Sequence, residues 1–196
     1  MTTIGILGLQ GAFARHEAAL LRLNVSTRIV RFPDDLDGCD GVIIPGGEST
    51  TMTKLMDYIG IRQPLLSYAE RHPLLGTCAG MIMMASQVED PRVRPLNVLD
   101  IEVARNAFGR QIDSFIRPLE VSTNGSVSQM TGVFIRAPRI VSVGKNVRVL
   151  ASIESEPVFV QQGHHLASSF HPELTSDSRI HEYFIKIVQD HINNEG

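Results

Sequence analysis

The sequence predicts an α/β protein in which a mainly parallel sheet is flanked by helices, with antiparallel strands inserted in the second half of the chain. Short apolar runs alternate with helical patterns through the first half, which is typical of βαβ units and a parallel sheet. Closely spaced strand patterns follow between residues 97 and 170. The length of 196 residues corresponds to about one domain, so we expect a single domain over residues 1–196.

Strands and helices alternate in the first half. The strand patterns are short and either apolar or β-branched, and they cover residues 4–9, 27–32, 41–44 and 74–76. An Ala- and Leu-rich run predicts a helix at residues 12–23, and apolar residues at positions 52, 55, 56 and 59 form one face of another. Pro64 is expected to begin a third helix. A Met-rich helix is expected after Gly80.

The second half predicts antiparallel strands followed by a final helix. Strand patterns cover residues 98–103, 115–121, 133–137, 147–153 and 158–160. The sequences Asn124-Gly125 and Gly144-Lys145-Asn146 are typical of turns and predict hairpins at both places. Apolar residues at positions 180, 183, 184, 187 and 188 predict a C-terminal helix, with Ser178 as its N-cap.

The composition limits the class of function. Hydrophobic residues make up 43% of the chain and charged residues 20%, as in folded globular proteins rather than disordered or coiled-coil chains. The net charge of −3 and the pI of about 6.1 provide no basic field for nucleic acid or an anionic membrane. We find no secretory signal pattern and no run of about 18 apolar residues. We therefore expect a cytoplasmic protein without nucleic-acid or membrane partners.

The two cysteines differ in their surroundings. Gly76-Thr77-Cys78-Ala79-Gly80 has the form G-x-C-x-G between a predicted strand and a predicted helix, which is the context of a nucleophile elbow. The helix N-terminus behind such a turn favours a thiolate. The alternative is a small buried cysteine packed like alanine. Cys39 lies between Gly38 and Asp40 without that context, so we interpret it as structural.

A base and an acid that orients it lie close together near the end of the chain. His171-Pro172-Glu173 provides an imidazole and a carboxylate two residues apart. In an extended turn the two side chains point the same way, so Glu173 can accept one imidazole N–H while the other nitrogen faces a thiol. The remaining histidines, His16 and His181 among them, are interpreted as structural, and we expect no metal site because no ligand spacing is complete.

A glycine-rich loop follows the third predicted strand. Pro45-Gly46-Gly47-Glu48-Ser49-Thr50-Thr51 ends that strand and opens a helix. Backbone N–H groups beside consecutive glycines can face an oxyanion. The alternatives are a helix cap formed by Ser49 or Thr50 and a phosphate site, although no phosphate-binding motif is complete. This loop and the cysteine turn both follow parallel strands, so we expect them to meet at one cleft that favours acyl transfer.

Together these segments resemble the class I glutamine amidotransferases, which have a Cys-His-Glu triad and a flavodoxin-like sheet. A closer resemblance is to the glutaminase subunits of pyridoxal 5′-phosphate synthase, an enzyme of vitamin B6 biosynthesis. The G-x-C-x-G element is common to the superfamily. The segments that carry the closer resemblance are residues 5–11, 45–51, 105–111, 132–138 and 169–174.

The resemblance implies a role for each site residue. Cys78 would attack the side-chain amide of L-glutamine to give a thioester and ammonia, with His171 moving the protons and Glu173 orienting it. Gly46 and Gly47 would form the oxyanion region. The glutamine site would be lined by Gly47, Glu48, Ser49, Ile135 and Arg136, with Arg105 as the contact for the substrate carboxylate. From the sequence alone, Arg110, Arg117 or Arg136 could serve as well as Arg105.

The resemblance also implies a partner. Ammonia would pass to a separate (β/α)₈-barrel synthase subunit in a hetero-oligomeric complex, and no cofactor is expected in this chain. We expect the mobile Gly46-Gly47 loop to need that partner for alignment. Residues 88–95 match no motif and receive no role. Two alternatives stay open: another cysteine hydrolase of the same scaffold, either a peptidase or a DJ-1-like stress protein, and a catalytically idle regulatory partner.

Overall fold

The computed structural model describes residues 2–105 and 114–195. Residues 106–111, with Arg110 among them, lie outside this part of the chain. The strands within it are β1 (Thr3–Leu7), β2 (Ser26–Val30), β3 (Gly41–Ile44), β4 (Leu74–Thr77), β5 (Ala85–Val88), β6 (Leu99–Ala104), β7 (Ser114–Thr123), β8 (Ser126–Ile135), β9 (Arg139–Val143), β10 (Arg148–Ile153), β11 (Glu156–Gln162) and β12 (His165–Ser168). The α-helices within it are α1 (Phe13–Arg22), α2 (Ser49–Tyr58), α3 (Arg62–Ala69), α4 (Ala79–Met84) and α5 (Arg179–Glu195).

A seven-stranded sheet forms the centre of the fold, in the order β10-β11-β12-β4-β3-β1-β2. The strands from β12 to β2 pair in parallel, whereas β10, β11 and β12 pair antiparallel. The predicted class, a mainly parallel sheet with antiparallel strands in the second half, is therefore confirmed. The parallel part has the order 2-1-3-4 of a flavodoxin-like sheet.

Helices cover both faces of the sheet. Along β3, Val42 and Ile44 belong to a core with α2, α3 and α4, whereas Ile43 belongs to a core with α1 and α5. This division follows from the alternation of side chains along a strand. Because both faces are covered, the inner parallel strands β1, β3 and β4 are buried almost throughout, which explains their apolar runs, whereas β2 at the edge of the sheet contains Ser26, Thr27 and Arg28. None of the described helices is both long and apolar enough to cross a membrane.

The second half differs from the sequence-based expectation in its pairing. A separate sheet has the order β5-β6-β9, and β7 and β8 form a ribbon of their own. Asn124-Gly125 does turn this ribbon, with positive φ at both residues. The predicted hairpin at 144–146 is wrong, because the strands on either side belong to different sheets. The predicted strand at 133–137 is instead the end of β8, and β5, β9 and β12 were not predicted.

Two helix starts also differ. α2 begins at Ser49, before the apolar face that identified it, and α3 begins at Arg62 rather than at Pro64. Pro64 still lies in the first turn of α3, where its missing N–H has no intrahelical partner to lose.

The topology brings four strand ends to one place. The strand order reverses between β1 and β3. The connection from β1 to β2 crosses one face of the sheet through α1, and the connection from β3 to β4 crosses the opposite face through α2 and α3. The loops that follow β1, β3, β4 and β12 all leave from the carboxyl edge of the parallel strands. An open α/β sheet binds ligands in the crevice at such a point, and the loops there carry Gln10, Gly46, Cys78 and His171.

Close packing of α4 on β3 depends on Gly80. A Cβ built at this residue lies 1.9 Å from the carbonyl oxygen of Ile44, far inside contact distance. Helix propensity alone predicts that Gly80→Ala stabilises the chain by about 1 kcal/mol. We expect the opposite, a loss of about 2–3 kcal/mol or more from overpacking, measured as a lower midpoint of urea unfolding.

Gly60→Ala is the matched control for this prediction. Gly60 has φ +72° and no atom within 4 Å of a Cβ built there, so its substitution costs only the backbone strain, about 1 kcal/mol. A Gly80→Ala protein as stable as the wild type would contradict the packing argument.

Candidate active site

A cleft of about 510 Å³ opens at the carboxyl edge of the sheet. It contains nearly every residue that the sequence predicts for a site. The lining residues include Gly46, Gly47, Glu48, Ser49, Cys78, Arg105, Ile135, Arg136 and His171. Glu173 lies behind His171, with 4% of its surface exposed. The expectation that the glycine-rich loop and the cysteine turn meet at one cleft is confirmed.

Cys78 sits on a sharp turn between β4 and α4. Its φ is +50°, a region that non-glycine residues rarely adopt and that is found at nucleophile elbows. Its N–H donates to the carbonyl of Ser168 at 2.8 Å, and its Sγ lies 4.0 Å from the carbonyl oxygen of Ile135. Cβ atoms at Gly76 or Gly80 would collide with backbone, so the glycines of the motif allow the turn to close.

His171 and Glu173 form a hydrogen-bonded pair beside Cys78. The Nδ1 of His171 and the Oε1 of Glu173 are 2.7 Å apart. The His171 N–H donates to the carbonyl of Val133 at 2.8 Å, which fixes the backbone from which the imidazole projects. The turn is not extended as expected, because Pro172–Leu174 forms a 3₁₀ turn. Proline fits the first position of such a turn, and this turn brings the two side chains together.

The protonation of this pair follows from its surroundings. Burial opposes a charged imidazole, but hydrogen bonds with Cys78 and Glu173 outweigh burial and raise the pKa of His171. Burial likewise opposes a charged carboxyl, yet the hydrogen bond from His171 helps to lower the pKa of Glu173. The arrangement therefore favours an imidazolium that is stabilised by a carboxylate on one side and by a sulfur on the other.

The loop at Gly46 and Gly47 is held by the loop after β1. The Gly46 carbonyl accepts a hydrogen bond from the Ala12 N–H at 3.2 Å. Gln10 spans the Glu48 peptide: its Oε1 accepts from the Glu48 N–H at 3.1 Å and its Nε2 donates to the Glu48 carbonyl at 3.2 Å. A Cβ at Gly46 would lie 2.5 Å from the His171 ring, so only glycine lets the imidazole approach the loop this closely.

Glu48, and neither Ser49 nor Thr50, caps α2. Its carboxylate accepts from the backbone N–H groups of Thr50 at 3.0 Å and Thr51 at 2.7 Å, and from both hydroxyls. Burial opposes ionisation, but these hydrogen bonds lower the pKa of Glu48 to about 2. Glu48 is therefore anionic at neutral pH while it lines the cleft.

Arg105 projects into the cleft between two carboxylates. Its Nη2 lies 3.0 Å from the Oε1 of Glu48, and its Nη1 is paired with Asp90. Arg136 also lines the cleft, whereas Arg117 is exposed on β7 and does not. Among the arginines that the structure describes, Arg105 and Arg136 are thus the candidates for binding a carboxylate in the cleft.

Comparison with known proteins agrees with this geometry. The sequence matches the model of the SNO glutamine amidotransferase family over residues 6–190. The chain belongs to this family. A solved chain described as a glutamine amidotransferase is 46% identical and superposes with a TM-score of 0.90, over 95% of this chain and 98% of that one.

Relatives within the family carry a more specific name. Proteins named pyridoxal 5′-phosphate synthase subunit PdxT are 46% identical in Thermosipho africanus and 50% identical in Exiguobacterium sibiricum. The two alignments cover 95% of this chain and 98% and 95% of those proteins. A glutamine amidotransferase from Thermotoga maritima shares the fold, with a TM-score of 0.62 at 15% identity over 99% of this chain and 85% of that one.

Three polar residues near the cleft of this glutamine amidotransferase were not predicted from the sequence. Gln10 holds the Glu48 peptide, and Asp90 holds Arg105 from the segment 88–95, which had received no role. His16, interpreted as structural, faces Glu173. The position of Gln10 directly after an apolar parallel strand was a usable signal. Nothing in the local sequence indicates the contacts of Asp90 and His16, because each is made to an element distant in the chain.

The second cysteine has no part in the cleft of this family member. Cys39 is 4% exposed, and its Sγ lies 3.4 Å from the Asp35 carbonyl oxygen. Burial raises the pKa of its thiol, so it is held as an unreactive thiol. Within residues 2–105 and 114–195, no group of three or more His, Cys, Asp or Glu side chains is arranged to hold a metal ion.

Removing the charge of Glu173 is expected to lower the pKa of His171. The Glu173→Gln side chain keeps the size of the carboxylate but no longer stabilises an imidazolium, so the burial of the ring acts with less opposition. A ¹³C or ¹⁵N NMR titration of His171 measures the change. Glu156→Gln is the control, because Glu156 is ion-paired with Arg139 away from the cleft. An unchanged His171 titration in Glu173→Gln would contradict the assigned pairing.

Proposed function

We propose that this chain is the glutaminase subunit of a pyridoxal 5′-phosphate synthase, which hydrolyses L-glutamine to L-glutamate and ammonia. The observation that carries the proposal is that the Cys78 turn, with His171 and Glu173 behind it, faces the same cleft as the ion pair of Arg105 and Glu48. An acyl-transfer centre and a pair of opposite charges therefore share one cleft. The 44–50% identity to synthase subunits over nearly their whole length supports the choice of substrate.

The charged pair suits the head group of an amino acid. Glutamine carries an α-carboxylate and an α-ammonium on one carbon, and the cleft presents a guanidinium 3.0 Å from a carboxylate. The planar guanidinium of Arg105 can bind the α-carboxylate through two N–H groups. Glu48, anionic because its pKa is lowered to about 2, takes the α-ammonium. The side-chain amide then extends toward Cys78.

The reaction proceeds through a thioester. The Cys78 thiolate attacks the amide carbon of glutamine, and N–H groups at the Gly46-Gly47 loop stabilise the resulting oxyanion. The His171 imidazolium gives its proton to the departing nitrogen, so that the C–N bond breaks and ammonia leaves. A water molecule, deprotonated by His171, then attacks the γ-glutamyl thioester, which releases glutamate and the Cys78 thiolate. Glu173 stabilises the imidazolium at each stage.

We further propose that residues 1–196 form one glutamine amidotransferase domain that delivers ammonia to a (β/α)₈-barrel synthase subunit. The described helices pack on the two faces of one central sheet, which supports a single domain, and the relatives named as synthase subunits support a synthase partner. The thiolate mechanism requires a reduced Cys78, which suits the cytoplasm. The expectation that the partner aligns the Gly46-Gly47 loop stays a prediction.

Cys78→Ala is expected to abolish ammonia release from glutamine, because no thioester can form. The measurement is ammonia production by the full chain, with and without the synthase subunit, and we expect higher wild-type activity with the subunit. Cys39→Ala is the matched control and retains activity. Unchanged glutamine hydrolysis in Cys78→Ala would refute the proposal. Turnover of peptide, ester or α-oxoaldehyde substrates with glutamine inert would instead favour another cysteine hydrolase.

Arg105→Ala is expected to weaken glutamine binding more than it slows chemistry. Loss of a charge-assisted pair costs about 1.5–3 kcal/mol, or about 10- to 100-fold in KM, with a smaller change in kcat. Arg117→Ala, on the exposed face of β7, is the control and keeps the wild-type KM. Steady-state kinetics of both variants with the synthase subunit present separates the two parameters. Equal KM values for Arg105→Ala and wild type would show that another residue binds the carboxylate.

A further inference from the structure

A chain of buried polar side chains continues behind Glu173, away from the cleft. His16 from α1 and His181 from α5 are both 0% exposed, as is Thr77 of β4. The His16 Nε2 lies 3.4 Å from the Oε2 of Glu173 and 3.2 Å from the hydroxyl of Thr77. On its other side, the His16 Nδ1 lies 3.0 Å from the Nε2 of His181. His16, His181 and Thr77 thus join two helices and a strand to the acid that orients His171.

Glu173 needs a second donor, and His16 is placed to provide it. Its Oε1 is bonded to His171. Its Oε2 is fully buried and makes no well-formed hydrogen bond to any residue in the described parts of the chain. A buried carboxylate oxygen without a donor is costly. The His16 ring faces this oxygen across 3.4 Å, so a small rotation of either side chain completes a hydrogen bond.

We propose that His16, oriented by His181, is a positioning residue that donates its Nε2–H to Glu173 and so fixes the carboxylate against His171. This inference rests on the proposed function, since it assigns a role in the same reaction. His16 touches neither the cleft nor a reacting atom, so it acts through Glu173. Donation then runs from His181 to His16 and from His16 to Glu173, whose other carboxylate oxygen accepts from the catalytic imidazole.

The tautomers follow from which ring nitrogens have partners. If His16 carries its proton on Nε2, that N–H points at the carboxylate and at the Thr77 oxygen, and its Nδ1 accepts from the Nε2–H of His181. The His181 Nδ1 is then a bare acceptor, and it is indeed a buried atom with no hydrogen-bond partner in the described residues. The reverse arrangement would bury an unpaired N–H of His181 and set the lone pair of His16 against an anion. Both are unfavourable.

Electrostatics agrees with neutral rings. Burial lowers the pKa of His16 despite the attraction of Glu173, and burial together with His16 lowers the pKa of His181 to about 3. The other charged or titratable groups that act on the pair are His171 and Arg22, and both also disfavour added positive charge. His16 therefore orients the carboxylate without neutralising it, which leaves the charge of Glu173 available to the His171 imidazolium.

The first test is the tautomeric state of the wild-type protein. Long-range ¹H–¹⁵N NMR at neutral pH distinguishes a protonated Nε2 from a protonated Nδ1. We expect His16 and His181 both to be neutral and protonated at Nε2. A proton on the His16 Nδ1, or a charged His16, would overturn the proposal. This measurement needs neither a variant nor turnover, so it stands even if glutamine is not the substrate.

The second test compares His16→Leu with His16→Gln. The leucine removes the donor, whereas the glutamine amide can place an N–H near the position of Nε2. With the synthase subunit present, we expect His16→Leu to lose about 10-fold or more in kcat, by analogy with groups that orient catalytic ligands, with KM within about 2-fold of wild type. We expect His16→Gln to recover most of kcat. In His16→Leu the Glu173 carboxylate has lost a hydrogen-bond donor, so its pKa is expected to rise. The acid limb of the pH profile of kcat therefore moves to higher pH in this variant.

Controls separate positioning from stability. His72→Leu makes the same chemical change at a histidine stacked on Tyr68, far from Glu173 in the fold, and is expected to keep the wild-type kcat and pH profile. Thermal melting of each variant shows whether it is folded.

A wild-type kcat and an unchanged acid limb of the pH profile in folded His16→Leu would overturn the proposal. If His16→Leu does not fold, the tautomers and the kcat of His16→Gln decide it. Loss of glutamine turnover in the wild type would refute the proposed function alone.

Discussion

The close contact of α4 with β3 is the constraint on which the geometry of the cleft depends. Because Gly80 has no side chain, its backbone can lie against the carbonyl of Ile44, and the helix begins directly at the end of β4. The chain has no room to leave the strand gradually, so Cys78 takes a positive φ. The sulfur is thereby raised at the carboxyl edge of the sheet, where the loops after β1 and β3 and the His171 turn meet it.

A single buried carboxylate organises the polar side of the cleft. Glu173 lies between two imidazoles, one facing the cleft at 2.7 Å and one facing the core at 3.4 Å. The two rings differ in charge for physical reasons. His171 lies beside a sulfur and at the edge of solvent, whereas His16 is enclosed between helices and a strand. One acid can therefore hold a protonated ring and a neutral ring at once.

The parts of this architecture that depend on local patterns could be predicted from the sequence. The parallel strands, the cysteine turn and the His171–Glu173 pair each lie within a few residues of a motif, and the structure brings them together as expected. β5, β9 and β12 escaped prediction because each is only four or five residues long and mixes polar with apolar residues. Asp90 was missed because its partner Arg105 lies across the β5-β6 connection. Glu48 replaced Ser49 as the helix cap because a longer side chain reaches two N–H groups and two hydroxyls at once.

The anchors of the nucleophile and the base are backbone groups. Cys78 is held through the carbonyl of Ser168, and His171 through the carbonyl of Val133. A substitution of the half-buried Val133 side chain leaves its carbonyl in place, whereas Ser168 is fully buried within β12. The spacing of sulfur and imidazole therefore depends on the course of the main chain through β8 and β12.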